Sequence, residues 1–311
     1  MKRIVVTGTG SSVGKTHLTC ALARSFAAQK LRVAAFKPID TGIEPAGGDY
    51  TDSGQLAAVS AFHVKRWLDP VYIFREPLSP HLAARRAGIS LELQPVLDAL
   101  RLFDGLDLNM VLVELAGGLF SPLNSKETNA DLALAIHHAA VRASATAALQ
   151  AAPLTQQIAV TAQSGAAGSP AAVIDAPGTT SGTWSSSAAV SSDSFPATSW
   201  SRADSFPPGE TPASGPATQD DSLPRILLVA PDRSGVLHEI AATTRAAEAL
   251  GLPLTGITLV MPEHPDASTG LNGPEIGYVT SVPYLGTLRR APIDVLANDL
   301  KLSGFLNRLF A

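Results

Sequence analysis

Cysteine, lysine and charge are all scarce in this chain of 311 residues. Its only cysteine, Cys20, has no partner for an internal disulfide, which suits a reducing compartment. Charged residues make up 16 % of the chain, the formal net charge is -4 and no basic cluster stands out. A nucleic-acid partner is therefore not expected. Met1, Lys2 and Arg3 run straight into a β-branched stretch, which leaves no room for a signal peptide, and no apolar run reads as long enough to span a bilayer. No repeat of fixed period is present. The expectation is a soluble, cytoplasmic protein with no membrane partner, and an apolar share of 45 % is ample for a core.

The most informative stretch begins almost at the first residue, in "VVTGTGSSVGKTHLTCALA" (5–23). Ile4, Val5 and Val6 form a β-branched run, and Gly8, Gly10 and Gly14 punctuate the residues after it. From His17 onward Leu18, Ala21, Leu22 and Phe26 recur at helical spacing. Strand, glycine loop and helix bring backbone N–H groups and a helix N-terminus together on an anion. In that context Lys15 reaches outer phosphates and the Thr16 hydroxyl suits Mg²⁺. Five residues separate Gly8 from Gly14, one more than the strict G-x-x-x-x-G-K spacing, so the loop is a variant. The bland alternative is a glycine-rich turn that binds nothing.

Further strand-like runs are "RVAAFK" (32–37), "NMVLVEL" (109–115), "RILLVAP" (225–231) and "LTGITLVM" (254–261), with helical patterns at 17–29, 91–102 and 238–250. Continuous apolar strands alternating with helices predict an α/β fold, a parallel sheet of the P-loop NTPase kind with helices on both faces. Ligands in such sheets sit beyond the carboxyl ends of the strands, here at "KPIDTG", "ELAGG" and "APDRSG" as well as the glycine loop. Between Lys126 and Lys301 there is no lysine, and from about Ala139 to Leu223 the chain is Ala, Ser, Thr, Pro and Gly. Residues 1–136 plus 224–311 are expected to form one discontinuous domain. Residues 137–223 are expected to be a low-complexity insertion, first a helix extension and then disordered.

Taken together, the motifs resemble the dethiobiotin synthetase family. The loop "GTGSSVGKT", "KPIDTG" (37–42), "DSGQL" from Asp52, "EPLSPHLAA" (76–84), "VELAGG" (113–118), Pro122-Leu123 and "ADLA" (130–133) occur in the family's order. The likeness covers 1–136 well and 224–290 thinly. It implies an ATP-dependent ring closure in biotin synthesis. A 7,8-diaminononanoate amine takes up CO₂ as a carbamate, ATP phosphorylates it, and the second amine closes the ureido ring with loss of phosphate.

The resemblance also implies roles. Lys15 and Lys37 would be catalytic, facing the γ-phosphate, the carbamate and the charge that develops between them. Ser12, Val13, Gly14, Lys15, Thr16, His17, Asp52, Glu114, Ala116, Gly117 and Gly118 would hold ATP, with the Ala116–Gly118 backbone close to ligand. Thr16, Asp52 and Glu114 would ligate Mg²⁺. Thr41 and Lys37 would contact the diamine, and the protein would be a homodimer. Each has a plainer reading: Lys37 as a solvated strand end, Asp52 or its neighbour Asp49 as a turn residue, His81 as structural at a helix start marked by Ser79 and Pro80. His238 and Glu239 read as ordinary residues at a helix start.

Several positions depart from the family pattern. Gly10 and Ser12 stand where acidic residues are usual, and Leu115 stands for a glycine, which is expected to crowd a ligand-facing backbone. Val260 occupies the place of an Asn that reads adenine, His238 and Glu239 that of an Asn-His pair, and "LGTLRRAP" (285–292) lacks a proline. Phosphate and metal groups thus survive while adenine-reading groups are altered, which predicts weak discrimination among triphosphates. Two other functions stay open on sequence: a related P-loop ligase or amidating enzyme, and a degenerate nucleotide-binding module.

Overall fold

Strand β1 (Lys2–Gly8) has Ile4 and Val6 on one side and Val5 on the other, and all three are fully buried. The sheet around it repeats this alternation, so both faces must be covered. In the computed structural model, which describes residues 1–43, 51–60, 68–151 and 223–311, the cover is helical on both sides. One core joins Ile4 and Val6 to Leu18, Leu22 and Phe26 of α1 (Lys15–Ala28). The other joins Val5 to Val96 and Leu100, and to Leu132 and Ile136 further along the chain.

After α1 come β2 (Val33–Phe36), β3 (Ile39–Thr41), α2 (Asp52–Val59), β4 (Tyr72–Phe74), α3 (Pro80–Arg86) and α4 (Leu93–Leu102). Then come β5 (Met110–Glu114), α5 (Asn129–Ala151), β6 (Arg225–Pro231), α6 (Val236–Ala249), β7 (Gly256–Val260) and α7 (Asn272–Glu275). The chain closes with β8 (Tyr284–Leu288), α8 (Ile293–Leu302) and α9 (Phe305–Phe310). The main sheet has the order β2-β5-β1-β6-β7-β8 and every pair in it is parallel. A second, two-stranded parallel sheet pairs β3 with β4.

The four strands read from continuous apolar runs are present within a residue or two, and the P-loop-type α/β class is confirmed by the sheet order and the β1–loop–α1 unit. The short β3 and β4 and the last strand and helices lay outside the expected elements. The expectation of disorder in the insertion falls on residues outside the described ones, as does Asp49.

The expectation that no run is long enough to span a bilayer is corrected by α5. Its stretch Asn129–Gln150 has a mean hydropathy of 1.2 over a membrane-length window and is long and apolar enough to cross a bilayer by composition. It passes because alanine dominates it and Asp131 and Arg142 are its only formal charges. Its first half belongs to the protein core instead, with Ala130, Leu132, Ala133, Ile136 and Ala140 buried.

Strand register positions the site. Val6 pairs with Glu114 and Gly8 with Val229, so the glycine loop leaves the sheet beside the end of β5. Phe36 pairs with Val113, which carries Lys37, the next residue of the chain, to Glu114.

Candidate active site

Gly14 caps α1 at φ 95°, a left-handed conformation that disfavours any side chain, and a Cβ there would come within 2.7 Å of Val260 Cγ1. The first intrahelical bond of α1 runs from Leu18 N–H to the Gly14 carbonyl, at 3.0 Å. The N–H groups of Lys15, Thr16 and His17 therefore have no helical acceptor and face outward, where the helix dipole favours an anion. Lys15 is buried and its Nζ donates to the Gly10 carbonyl at 2.9 Å, folded back over the loop. Burial lowers its pKa to about 8; Glu114 opposes the shift and Lys37 adds to it.

At the floor, the Thr16 hydroxyl donates to Glu114 Oε1 at 2.8 Å, and Lys37 Nζ lies 3.2 Å from the same oxygen. Lys37 also pairs with Asp52 and lies 3.4 Å from Asp40 Oδ1. Burial alone would lower the Lys37 pKa, but Glu114, Asp40 and Asp52 outweigh it and the ammonium is held well above its usual range. Glu114 is fully buried, and burial raises its carboxyl pKa against the pull of Lys37, Lys15 and the Thr16 hydroxyl. The nearby Cys20 thiol is pushed up to about 12, first by burial and then by Glu114 and Asp52, so it is an inert core group.

Asp52 reaches this point because Thr51 caps α2, accepting from Gly54 N–H at 3.0 Å, and leaves Asp52 in the first turn. The short β3 supplies Asp40, whose Oδ2 accepts from Ser53 N–H at 3.0 Å and ties β3 to α2. On the opposite wall, Asn129 Nδ2 donates to the carbonyls of Ala116 and Gly118 at 2.5 and 2.9 Å and fixes the loop after β5.

A cavity of about 710 Å³ lies above these groups. Ser12, Gly14, Lys15, Thr16, His17, Lys37, Thr41, Asp52, Glu114, Ala116 and Gly117 all line it. Two expected residues do not. Val13 is buried beside Gly8 and lines a smaller adjoining cavity of about 350 Å³. Gly118 is glycine for a different reason than ligand approach: a Cβ there would meet the Thr9 carbonyl at 3.0 Å and the Gly10 backbone at 3.1 Å, so it lets two loops pack. Leu115 also corrects an expectation. Its side chain is 1 % exposed in the core with Val113 and Leu119, turned away from the cavity it was expected to crowd.

Hard oxygen donors fit Mg²⁺ at the floor. Glu114 Oε2 is buried with no hydrogen-bond partner, the Thr16 hydroxyl donates to its other oxygen, and Asp52 lines the same cavity. Among the described residues no cluster of three or more His, Cys, Asp and Glu side chains forms a protein-only cage.

Sequence reasoning missed Asp40, Asn129, Glu239 and Arg290. Glu239 was read as ordinary, yet its carboxylate accepts from Thr9 Oγ1 at 3.1 Å and pairs with Arg233 at 2.7 Å, tying the glycine loop to α6. Arg290 lines both cavities. Asp40 sat in view inside "KPIDTG", three residues after Lys37; the other contacts are long-range and have no local signature.

Sheet order, glycine loop and the Lys-Thr pair at the helix start make this a P-loop nucleotide-binding fold. Residues 2–141 match a family model described as an AAA domain. An ATP-dependent dethiobiotin synthetase BioD of Caulobacter vibrioides (strain NA1000 / CB15N) is 38 % identical over 138 residues, 44 % of this chain and 63 % of that protein. That of Nitrosospira multiformis is 41 % identical over 136 residues, 43 % of this chain and 58 % of its own length. The enzyme of the same name from Rhodopirellula baltica is 26 % identical over 312 residues, 97 % of this chain and 91 % of that one. Among solved structures, the signal recognition particle receptor FtsY of Elizabethkingia anophelis aligns at TM-score 0.43 and 14 % identity, over 100 % of this chain and 65 % of that one. The chain thus spans less than two thirds of the more similar relatives, and over residues 2–141 its sequence is similar to the dethiobiotin synthetases.

Proposed function

We propose that the protein is a dethiobiotin synthase, an ATP-dependent carbon–nitrogen ligase that closes a ureido ring on 7,8-diaminononanoate with CO₂. The observation that carries this reading is the position of Lys37. Its ammonium stands among three carboxylates on the floor of a cavity whose other wall is the glycine loop. A phosphate-binding loop alone would fit many nucleotide-binding proteins; a second buried cation across from Lys15 suits a carboxylated acceptor.

In this reading one diamine nitrogen adds to CO₂ and loses a proton to give a carbamate. A carbamate oxygen attacks the γ-phosphorus, ADP leaves, and the second nitrogen displaces phosphate at the carbonyl carbon. Lys15 would hold the β- and γ-phosphate oxygens together with the loop N–H groups, giving up its contact with the Gly10 carbonyl. Lys37 would neutralise the carbamate and the anhydride formed from it, and Thr41, on the same wall, would orient the diamine. Phosphoryl transfer asks for positioning and charge compensation of this kind. Thr16, Asp52 and Glu114 would hold Mg²⁺, which when bound would neutralise phosphate oxygens. Cytoplasmic action, expected from the composition, and a homodimer, implied by the family resemblance, belong to the same proposal; sedimentation checks the second.

The test is ADP release by purified protein with Mg-ATP and bicarbonate, with and without 7,8-diaminononanoate. Diamine-dependent release with one dethiobiotin formed per ADP supports the proposal. Nucleotide binding with no diamine-dependent turnover would overturn it and leave a nucleotide-binding module.

A further inference from the structure

Arg290 stands just after β8, and it is placed to do more than fill a turn. Its Nε donates to the Met261 carbonyl at 3.3 Å, which anchors the guanidinium over the end of β7. No carboxylate among the described residues lies within ion-pair distance of it. The guanidinium borders the main cavity together with Gly14, Lys15, Thr16 and His17, and the adjoining cavity together with Ser11, Ser12 and Val260.

His17 is the third residue of α1, so its free N–H marks the inner end of any polyphosphate whose outer end reaches Lys15. Arg290 lines the same cavity as His17, which places its guanidinium to meet the phosphate next to the nucleoside. Arg-to-phosphate contacts are strong because both partners are charged and the donors are forked.

We propose that Arg290 is a nucleotide-binding residue that grips the nucleoside-proximal phosphate. It thereby supplies affinity that does not depend on the base, in a site where Val260 offers the base edge no hydrogen bond. The proposal rests on the nucleotide part of the function above and on none of its ligase chemistry.

Calorimetric titration of Mg-ATP and Mg-GTP against the wild type, Arg290→Ala and Arg290→Lys, at low and high salt, tests it. Arg290→Ala should weaken both nucleotides by a common factor of about tenfold, as expected for one charge-assisted contact, and flatten the salt dependence. Arg290→Lys should recover much of the loss, while the melting temperature of the ligand-free protein stays put. Two results overturn the proposal: unchanged affinity, which leaves Arg290 as a tether for Met261, or a loss confined to ATP, which makes it a base-contacting group. Should Arg290→Ala fail to fold, Arg290→Lys against Arg290→Gln decides, equal binding by the two counting against the idea. Wild-type binding without diamine-dependent turnover would sink the ligase reading and leave this one standing. Intact turnover with an unchanged ATP KM in Arg290→Ala would do the reverse.

Discussion

Lys37 Nζ lies 3.2 Å from Glu114 Oε1, a carboxylate that is fully buried and whose second oxygen has no partner. Neither charge is there for stability, because desolvating two ions costs about as much as their attraction returns. Removing one, however, strands the other. Lys37→Met should therefore lower the unfolding free energy by about 3 kcal/mol, the usual size for an orphaned buried charge. It should also reduce diamine-dependent ADP release by about 10²-fold or more, as when a preorganised charge contact is lost from a transition state. The double variant Lys37→Met with Glu114→Gln should regain stability and no turnover. Denaturant unfolding and ADP release measure the two effects separately; equal stability of Lys37→Met and wild type would show that Glu114 does not depend on the lysine.

Leu115 occupies the place of a family glycine, but its side chain is 1 % exposed inside the core. Leu115→Gly should not open the site. It should leave a cavity and a floppier backbone, costing about 4 kcal/mol in unfolding experiments. Higher turnover in the variant would restore the crowding interpretation.

The sheet was legible because strands buried on both faces leave continuous apolar runs, and β1, β5, β6 and β7 are of that kind. Strand β8 reads as "YLGTL", with Gly286 in its middle and Thr287 exposed, so its pattern is broken. Strands β3 and β4 have three residues each, too few for any period to show. In the site, Lys15 and Thr16 were legible from motif spacing, Lys37, Asp52 and Glu114 only through the family resemblance, and the fold brings all five to one cavity. What spacing cannot reveal is a contact such as Thr9 to Glu239, 230 residues apart, or the orientation that sends Leu115 inward while Ala116 faces the cavity.

Asp266 gives the clearest pH dependence. Its carboxylate accepts from Ser234 N–H at 2.7 Å and from Ser268 N–H and Oγ at 2.8 and 2.7 Å, and its pKa falls to about 2, chiefly through the Ser234 bond. Since the folded value is depressed, the stabilisation is present above the ordinary 3.8 and is lost as pH falls through 2. The stability gap between wild type and Asp266→Asn should accordingly be constant above about pH 4 and close below it. Salt should narrow it, because the group is solvent-exposed. A gap that stays fully open to about pH 2 would mean the carboxylate charge is not what holds Ser234 and Ser268.

Val260 packs against Gly14 at the end of β7, lines both cavities and is 5 % exposed. An aliphatic side chain there can fill space against a purine but cannot distinguish adenine from guanine, since it has neither donor nor acceptor. Wild-type protein should bind Mg-ATP and Mg-GTP with similar affinity. Val260→Asn puts a carboxamide at the same point. In the ligand-free protein that polar group is buried beside Gly14 and should cost about 1–2 kcal/mol of stability. With nucleotide bound, the same group can pair with one base edge and leaves the mismatched edge unpaired. Selectivity for ATP over GTP should then rise by about tenfold, in line with the cost of one unpaired polar group. Competition binding with the two nucleotides reads the ratio directly. A ratio that does not move would place the base away from the end of β7, and the weak discrimination would need another origin.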